Sequence, residues 1–391
     1  MHLIGAFRAA RHACLALLAL AGAAGAGQHA GTAPGGTVAP GGADEPFVGV
    51  TANGAPVYGL YRLQETGVST APLAQAARAF LAALTPAQRE RSTFRIDDPE
   101  WRQWTNHGHA TRRGIALAEM DERARKAALD LLAASLSPAG FDRVRDIMSL
   151  ASPDEGRYWM TVRGEPSATG PWGWRLEGHH LVINCFVLGD QVVLTPLSLG
   201  AGPRAGRAGS RAATDVLRQE EAGGLEMLRA LSDAQRSMAI LRESKDGNDA
   251  VAEASGDNAS LDNVGIPAAL MNEEQRARLV DLIALYVSNL REGHAETWLS
   301  QAKEHLDGTY FAWIGGDAPG SAYYYRIFSP VILIELDHRQ PEDSGPPDPD
   351  HVHVVVRTPN GNDYGMELLR QHRARQSPPA DAGELSEGRE P

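Results

Sequence analysis

His351 and His353 are separated by one residue in a β-branched run that continues through Val354-Val355-Val356 to Arg357. Side chains alternate along a strand, so both imidazoles should project from one face, a spacing at which two ring nitrogens can reach one metal ion. Two ligands do not complete a site. If Ile332 to His338 pairs antiparallel with His351 to Arg357 across the loop Arg339 to Asp350, His338 lies beside His351 and supplies a third ligand. A register one residue away presents Asp337 and Glu335 on that face instead. His179 and His180 form a second cluster, and adjacent residues of a regular strand point oppositely, so only one of the two is expected to join.

A further ligand is expected from the C-terminus. Leu368, Leu369 and His372 fall within one helical arc on a short helix capped near Asp363. Docking of the leucines would carry His372 inward, as a ligand or as a group orienting one, and leave Arg370 at the rim to hold a substrate carboxylate. The expected metal set is therefore His180, His351, His353, His338 and His372, with His179, His180, Asp337 and Arg370 as catalytic candidates.

Three protein ligands around a divalent transition metal, zinc foremost, drawn from the histidines with or without Asp337, leave an open position for a water whose pKa the metal lowers, which suits hydrolysis of a small ester or amide. Copper or iron on the same ligands would suit oxidation. Two other classes use the same residues: metal or small-ligand binding without turnover, and metal-free acid–base catalysis. In the last, His179 or His180 acts with Asp337 or Glu335, and Arg326, Arg357 or Arg370 holds an anionic substrate.

Other motifs carry less. The H-x-H resembles that of the cupin barrel, but Gly345 is one residue out of place for the upstream glycine and the following glutamate is absent. Asn360-Gly361-Asn362 reads as a turn. Pro171-Trp172-Gly173-Trp174 and Tyr323-Tyr324-Tyr325 read as packing aromatics at a sheet edge, and Cys185, within Leu181 to Val187, reads as a buried thiol.

The elements that must hold these groups are an α+β set. Helical periodicity covers Leu73 to Leu84, Asp121 to Ser135, Gly140 to Leu150, Ala213 to Leu241, Asn272 to Leu290 and Ala295 to Leu306. Thr85, Ser232 and Asn272 each precede a Gln by three residues, the signature of a capping box. Strand patterns cover Tyr158 to Arg163, His180 to Leu188 and Gln191 to Leu197 around Gly189-Asp190, Tyr323 to Ile327, Pro330 to Leu336 and His351 to Arg357. Antiparallel hairpins are thus expected to form a sheet core with surrounding helices, the N-terminal half being the helical one. The stretches Gly200 to Gly209 and Asp246 to Gly265 read as surface excursions or boundaries.

The chain has 391 residues, 37 Lys+Arg against 49 Asp+Glu, and 43% hydrophobic residues. That supports a substantial core, and the acidic balance, with no basic run, argues against nucleic acid and anionic membranes as partners; a small-molecule substrate or ligand is the expected partner of the histidine site. Arg8, Arg11 and His12 precede the apolar run Cys14 to Ala23 and the small residues Ala24-Gly25-Ala26, the pattern of a cleaved export signal over residues 1–26. A leader (27–45), one α+β domain (46–376) and a frayed tail (377–391) are expected to follow, in an exported soluble protein of the periplasm or the extracellular space.

The segment Pro166 to Trp174, then Glu177-Gly178-His179-His180-Leu181, Phe311-Ala312-Trp313-Ile314-Gly315-Gly316, Tyr324-Tyr325-Arg326, His351-Val352-His353 and Leu368-Leu369-Arg370-Gln371-His372 together resemble the secreted domain of unknown function family 3500. The resemblance runs from about Thr85 to Arg373. It implies one continuous domain, supplies no activity, and favours Asp337 or the Gly-His-His pair over His338, whose position carries Asn in some relatives.

Overall fold

The computed structural model describes residues 36–37, 45–151, 156–203, 215–254, 256–341 and 345–376. The expected export signal, almost all of the leader and the tail lie outside the described residues. In the N-terminal part, β1 (Gly36–Thr37) and β2 (Thr51–Ala52) precede α1 (Ala71–Ala83), α2 (Pro86–Ser92), β3 (Thr93–Phe94), β4 (Ile115–Ala116), α3 (Glu122–Ser135) and α4 (Pro138–Ala151). There follow β5 (Tyr158–Gly164), β6 (Trp172–Gly178), β7 (Leu181–Leu188), β8 (Gln191–Val193) and β9 (Leu197–Ala201). Then come α5 (Arg218–Arg229), α6 (Asp233–Ala239), β10 (Ile240–Arg242), β11 (Ser260–Leu261), β12 (Ile266–Pro267), α7 (Glu273–Val287) and α8 (His294–Glu304). The chain closes with β13 (Tyr310–Gly315), β14 (Tyr323–Phe328), β15 (Leu333–His338), β16 (Val352–Arg357) and α9 (Met366–Gln376).

Helix starts follow the capping chemistry. Thr85, Ser232 and Asn272 each accept a hydrogen bond from the backbone N–H of the Gln three residues on, whose side-chain oxygen accepts in return. The box at Ser232 also corrects the expectation of one helix over Ala213 to Leu241. Its N-cap backbone is extended, so α5 must end before it and α6 starts afresh. Likewise the run Gln191 to Leu197 is two strands, because Pro196 has no N–H to continue a ladder.

The α+β reading holds, with two corrections. Helices are not gathered in the N-terminal half: α5 to α9 lie in the second half, and the first half carries β5 to β9. The sheet is mixed, since β3 pairs β5 and β10 pairs β13 in parallel within the thirteen-stranded sheet ordered β10-β13-β14-β15-β16-β9-β7-β6-β5-β3. In a separate small sheet β11 is parallel to β2 and antiparallel to β1.

Strand alternation divides the large sheet into two unlike faces. One carries Met160, Trp174, Leu176, Ile183, Cys185, Tyr325, Ile334, Leu336 and Val354, all buried with apolar residues of α1, α3, α4, α5 and α7 in the main core. Cys185, Trp172, Trp174, Tyr323 and Tyr325 therefore pack in the core, whereas Tyr324 lies on the other face and donates to Glu335 at 2.6 Å. The opposite face carries Arg163, Arg175, Glu177, Asn184, Ser198, Arg326, Glu335, Asp337, His353 and Arg357, also buried. Segments without long elements cover that polar face, and the histidines lie at its edge. Among the described residues no helix is long and apolar enough to cross a membrane.

Candidate metal centre

β9 lies between β7 and β16, and its register brings the two histidine clusters together. Leu181 of β7 pairs with Leu199, and His353 of β16 pairs with Gly200. Extending the first ladder by one residue puts His180, Gly200 and His353 in one row on one face. The glycine leaves the middle of the row empty, and a Cβ there would stand 3.0 Å from the His353 ring. Gly202 does the same for His351, where a Cβ would meet the ring at 2.6 Å. The His180 ring centroid lies 5.4 Å from that of His351 and 5.1 Å from that of His353, and the last two are 5.0 Å apart. One ligand atom from each of the three lies within 4.8 Å of the others, so the triad could hold a metal ion.

His179 and His180 are not strand residues with opposite directions. They form the turn between β6 and β7, with His180 in the left-handed region at φ 62°. A non-glycine residue there is strained, and strain of this kind persists where the surroundings over-determine it. The Asn106 carbonyl accepts a hydrogen bond from the His180 N–H at 3.0 Å. The conformation brings the two ring centroids to 3.8 Å, tilted by 32°, and lets both line a cleft of about 990 Å³, together with His351 and His353.

The electrostatics favour neutral imidazoles. Burial first, then the neighbouring His353, lowers His351 to about 4 and His179 to about 4; the same causes push buried His180 down further. Each ring of the H-x-H pair is also held from behind. His353 Nδ1 donates to Glu253 Oε1 at 3.0 Å, and the Gln340 backbone engages the His351 ring. The Nε2 atoms of both are buried and have no hydrogen-bond partner. Burial alone would raise the Glu253 carboxyl, but Arg339 beside it at 2.7 Å and the His353 bond outweigh this and hold it well below the usual carboxylate range. An ionised Glu253 keeps the proton on Nδ1 and the lone pair of Nε2 turned to the cleft, the arrangement by which a carboxylate orients a metal-binding histidine.

Asp337 and Glu335 do lie on the His353 face, as the shifted register required, since Asp337 pairs with His353 and Glu335 with Val355. They are not directed at the cleft. Asp337 Oδ2 accepts from the N–H groups of Asp249 and Ala250 at 2.8 and 3.0 Å, and its other oxygen meets buried Lys245 at 2.9 Å. Glu335 accepts from Val251 and from Ala252, the latter at 2.9 Å. Arg357 donates to the carbonyls of Ala252 and Glu253 and pairs with Asp257 and Asp363; Arg326 donates to the Asp262 carbonyl. These groups fasten the stretch 245–262 to the sheet and so deliver Glu253 to His353. The stretch is no surface excursion, and Arg326 and Arg357 are committed to it, not to a substrate anion.

His338 is corrected as a ligand. It pairs with Val352 and so faces the helices, where Nδ1 accepts from the Tyr323 N–H at 2.9 Å and Nε2 lies 2.5 Å from Glu221 Oε1. His372 is half-buried on α9, against Gln376 at 2.9 Å, and exposed Arg370 pairs with Glu367. Neither lines the cleft. The leucines dock as expected, against Tyr61, Phe186, Leu188, Val193 and Val331, but on a different part of the molecule. Asp363 is not the helix cap either; it is buried and accepts from Thr358.

Functional residues that escaped the reading of the sequence include Asn106, His107, His109 and Arg157 of the cleft, and Glu253 behind His353. His107-Gly108-His109 is itself an H-x-H, and its composition could have marked it. It lies in a loop without strand periodicity, held by Arg112, whose guanidinium donates to the carbonyls of Thr105, His107 and Ala110. Glu253 had no local signal.

No curated protein and no solved structure matches the chain. A family profile does match, over residues 66–366, which include every member of the histidine triad and Glu253. The chain therefore belongs to the family described as Protein of unknown function (DUF3500).

Proposed function

We propose that the protein is a metal-dependent hydrolase of small molecules, with His180, His351 and His353 as the metal ligands. The observation that carries this reading is the pair of buried, unpartnered Nε2 atoms on His351 and His353 beside His180, at the wall of an open cleft. Structural zinc sites close all four positions with protein ligands, whereas three ligands beside a cleft leave one for a reactant. A bound divalent ion would supply Lewis-acid polarisation of an ester or amide carbonyl and a water of lowered pKa. The chain's own residues do the rest. Glu253 fixes the His353 ring, His179 is neutral and placed to accept and pass on a proton, and Arg157 lines the same cleft and can meet an anionic part of the substrate.

The test is metal analysis of the purified full chain after exposure to zinc, copper and iron, followed by turnover of a panel of small esters and amides. About one equivalent of zinc and hydrolysis lost in His353→Ala are expected. Copper or iron with oxidase activity would replace hydrolysis by redox chemistry; metal without turnover would leave a binding protein. No retained metal would overturn the reading. We also propose export to the periplasm or beyond, on the strength of Arg8, Arg11, the run Cys14 to Ala23 and Ala24-Gly25-Ala26. Mass spectrometry of the native N-terminus should find residues 1–26 removed, and a retained Met1 would count against it.

A further inference from the structure

The histidine cleft has unlike ends. The ends of β5, β6, β7, β9 and β16 that border it lie along one side of the large sheet, since Tyr158 pairs with Gly178, Gly178 with Leu181, Leu181 with Leu199 and Ala201 with Val352. Along that line come Arg157 just before β5, the triad between β7 and β16, and then Asp348 and Asp350 in the turn that leads into β16. Histidines aside, the charged side chains of the lining are these three and Arg339, which Glu253 already holds at 2.7 Å. Arg157 is exposed, and among the described residues its guanidinium makes one hydrogen bond, a long one of 3.5 Å, to the Gly108 carbonyl. Asp348 is half-buried and accepts from the Asp350 N–H at 2.9 Å with Oδ1, which leaves Oδ2 for a ligand.

Building on the hydrolase reading, we infer that the substrate is a short peptide with free termini, its ammonium group at Asp348 and Asp350 and its carboxylate at Arg157. An amide with an ammonium on one side and a carboxylate on the other is, in its simplest form, such a peptide, and opposite charges at the two ends of the cleft fix which way it lies. Four strand spacings of about 4.8 Å put the backbone of Arg157 about 19 Å from that of β16. The side chains reach inward over part of this distance, and an extended peptide rises about 3.4 Å per residue, so about two to four residues span what remains. A cleft of about 990 Å³ takes a peptide of that size, and Ala110, Ala151, Pro203 and Pro341 leave apolar room for its side chains. His351 adjoins the acidic end, so the bond nearest the amino terminus is the one brought to the triad. Hydrolysis there joins a water oxygen to the carbonyl carbon and breaks the C–N bond. Both protons of that water end on the leaving nitrogen, giving a carboxylate and an ammonium, with His179 in place to carry one of them.

The zinc-loaded full chain should be offered trialanine beside its N-acetyl and C-amide forms, with products read by mass spectrometry. Free alanine should be the first product, and kcat/KM should be about 10–100-fold higher for the free peptide than for either blocked form, the worth of a hydrogen bond to a charged group. Arg157→Gln should abolish the advantage over the C-amide and keep that over the N-acetyl form, and Asp348→Asn should do the reverse. Calorimetry of the same three peptides on the metal-free chain reads the preference without turnover. Free and blocked peptides treated alike, or a preference indifferent to both variants, would overturn the inference, and cleavage of neutral esters or amides would then leave the hydrolase reading standing. A calorimetric preference without turnover of any compound would keep the peptide as a ligand and overturn its hydrolysis. Neither preference nor turnover would take both readings down.

Discussion

At the scale of single residues, the two histidines of the H-x-H are distinguished by what stands behind them, and His353 is the one with a carboxylate. Glu253→Gln keeps the shape and a hydrogen-bond acceptor but removes the charge that fixes the ring tautomer. Metal affinity is expected to fall about 10–100-fold, with the protein still folded, and competition against a chromophoric chelator measures it. Unchanged affinity would remove Glu253 from the centre. His338→Asn provides the contrast. It removes the hydrogen bonds that His338 makes with Glu221 and with the Tyr323 N–H inside the helix-covered core, so denaturant unfolding should show a loss of about 1–3 kcal/mol while metal stoichiometry stays the same. The two histidines come from facing strands, yet one position of register separates a ligand from a packing residue.

At the scale of elements, the stretch 245–262 acts as a clamp whose rivets are Asp337, Glu335 and Arg357. Asp337→Ala leaves the backbone N–H groups of Asp249 and Ala250 without their acceptor and takes one of two carboxylates from buried Lys245, a change of the kind that costs about 3–5 kcal/mol. Because the clamp carries Glu253, metal binding should weaken in the same variant although the substituted side chain is not directed at the cleft; a metal titration beside a urea melt checks both. Much of this level was legible in the sequence. The capping boxes at Thr85, Ser232 and Asn272 were recognised, because that chemistry is complete within four residues, although the helix expected over Ala213 to Leu241 ran through the box at Ser232. Strands were found because β-branched alternation is local too. Register was not, since the loop between β15 and β16 allowed either parity, and only the assembled sheet decides which residue faces His353. The clamp was missed for a related reason. Its Asp, Asn, Ser and Gly content is what a solvated loop would show, and the groups that need its amides lie some eighty residues further along the chain. The meeting of His180 with His351 and His353 was anticipated, but not its means: a glycine in the intervening strand and a strained turn.

At the scale of the whole molecule, the large sheet is apolar toward its helices and charged toward its loops, and the charged face stands because nearly every group on it has been neutralised. Glu100 shows the pattern, reaching Arg163 at 2.8 Å and pairing also with Arg175. Burial alone would raise its pKa, but Arg175 and Arg163 outweigh burial and lower it. A carboxylate depressed in the folded state adds stability above its unfolded pKa and loses it as pH falls through the folded value. The protein should therefore weaken as the pH drops below about 4.5, near the ordinary glutamate value, and in Glu100→Gln that part of the slope should be missing from urea midpoints measured between neutral and acidic pH. The distribution of the metal ligands has its own bearing on durability. His180 and His351 belong to the two halves of the sheet and stand far apart along the chain, so an ion bridging them is a reversible staple across a long loop, comparable in reach to a disulfide that the lone described thiol cannot form. Ligand that binds only the folded chain raises its stability by mass action, about 2.7 kcal/mol at one hundred times the dissociation constant. The melting temperature should climb with free metal in the native protein and stay flat in His353→Ala, and chelation should make the chain open to protease faster, so that scarcity of a metal bound there would limit the lifetime of the protein.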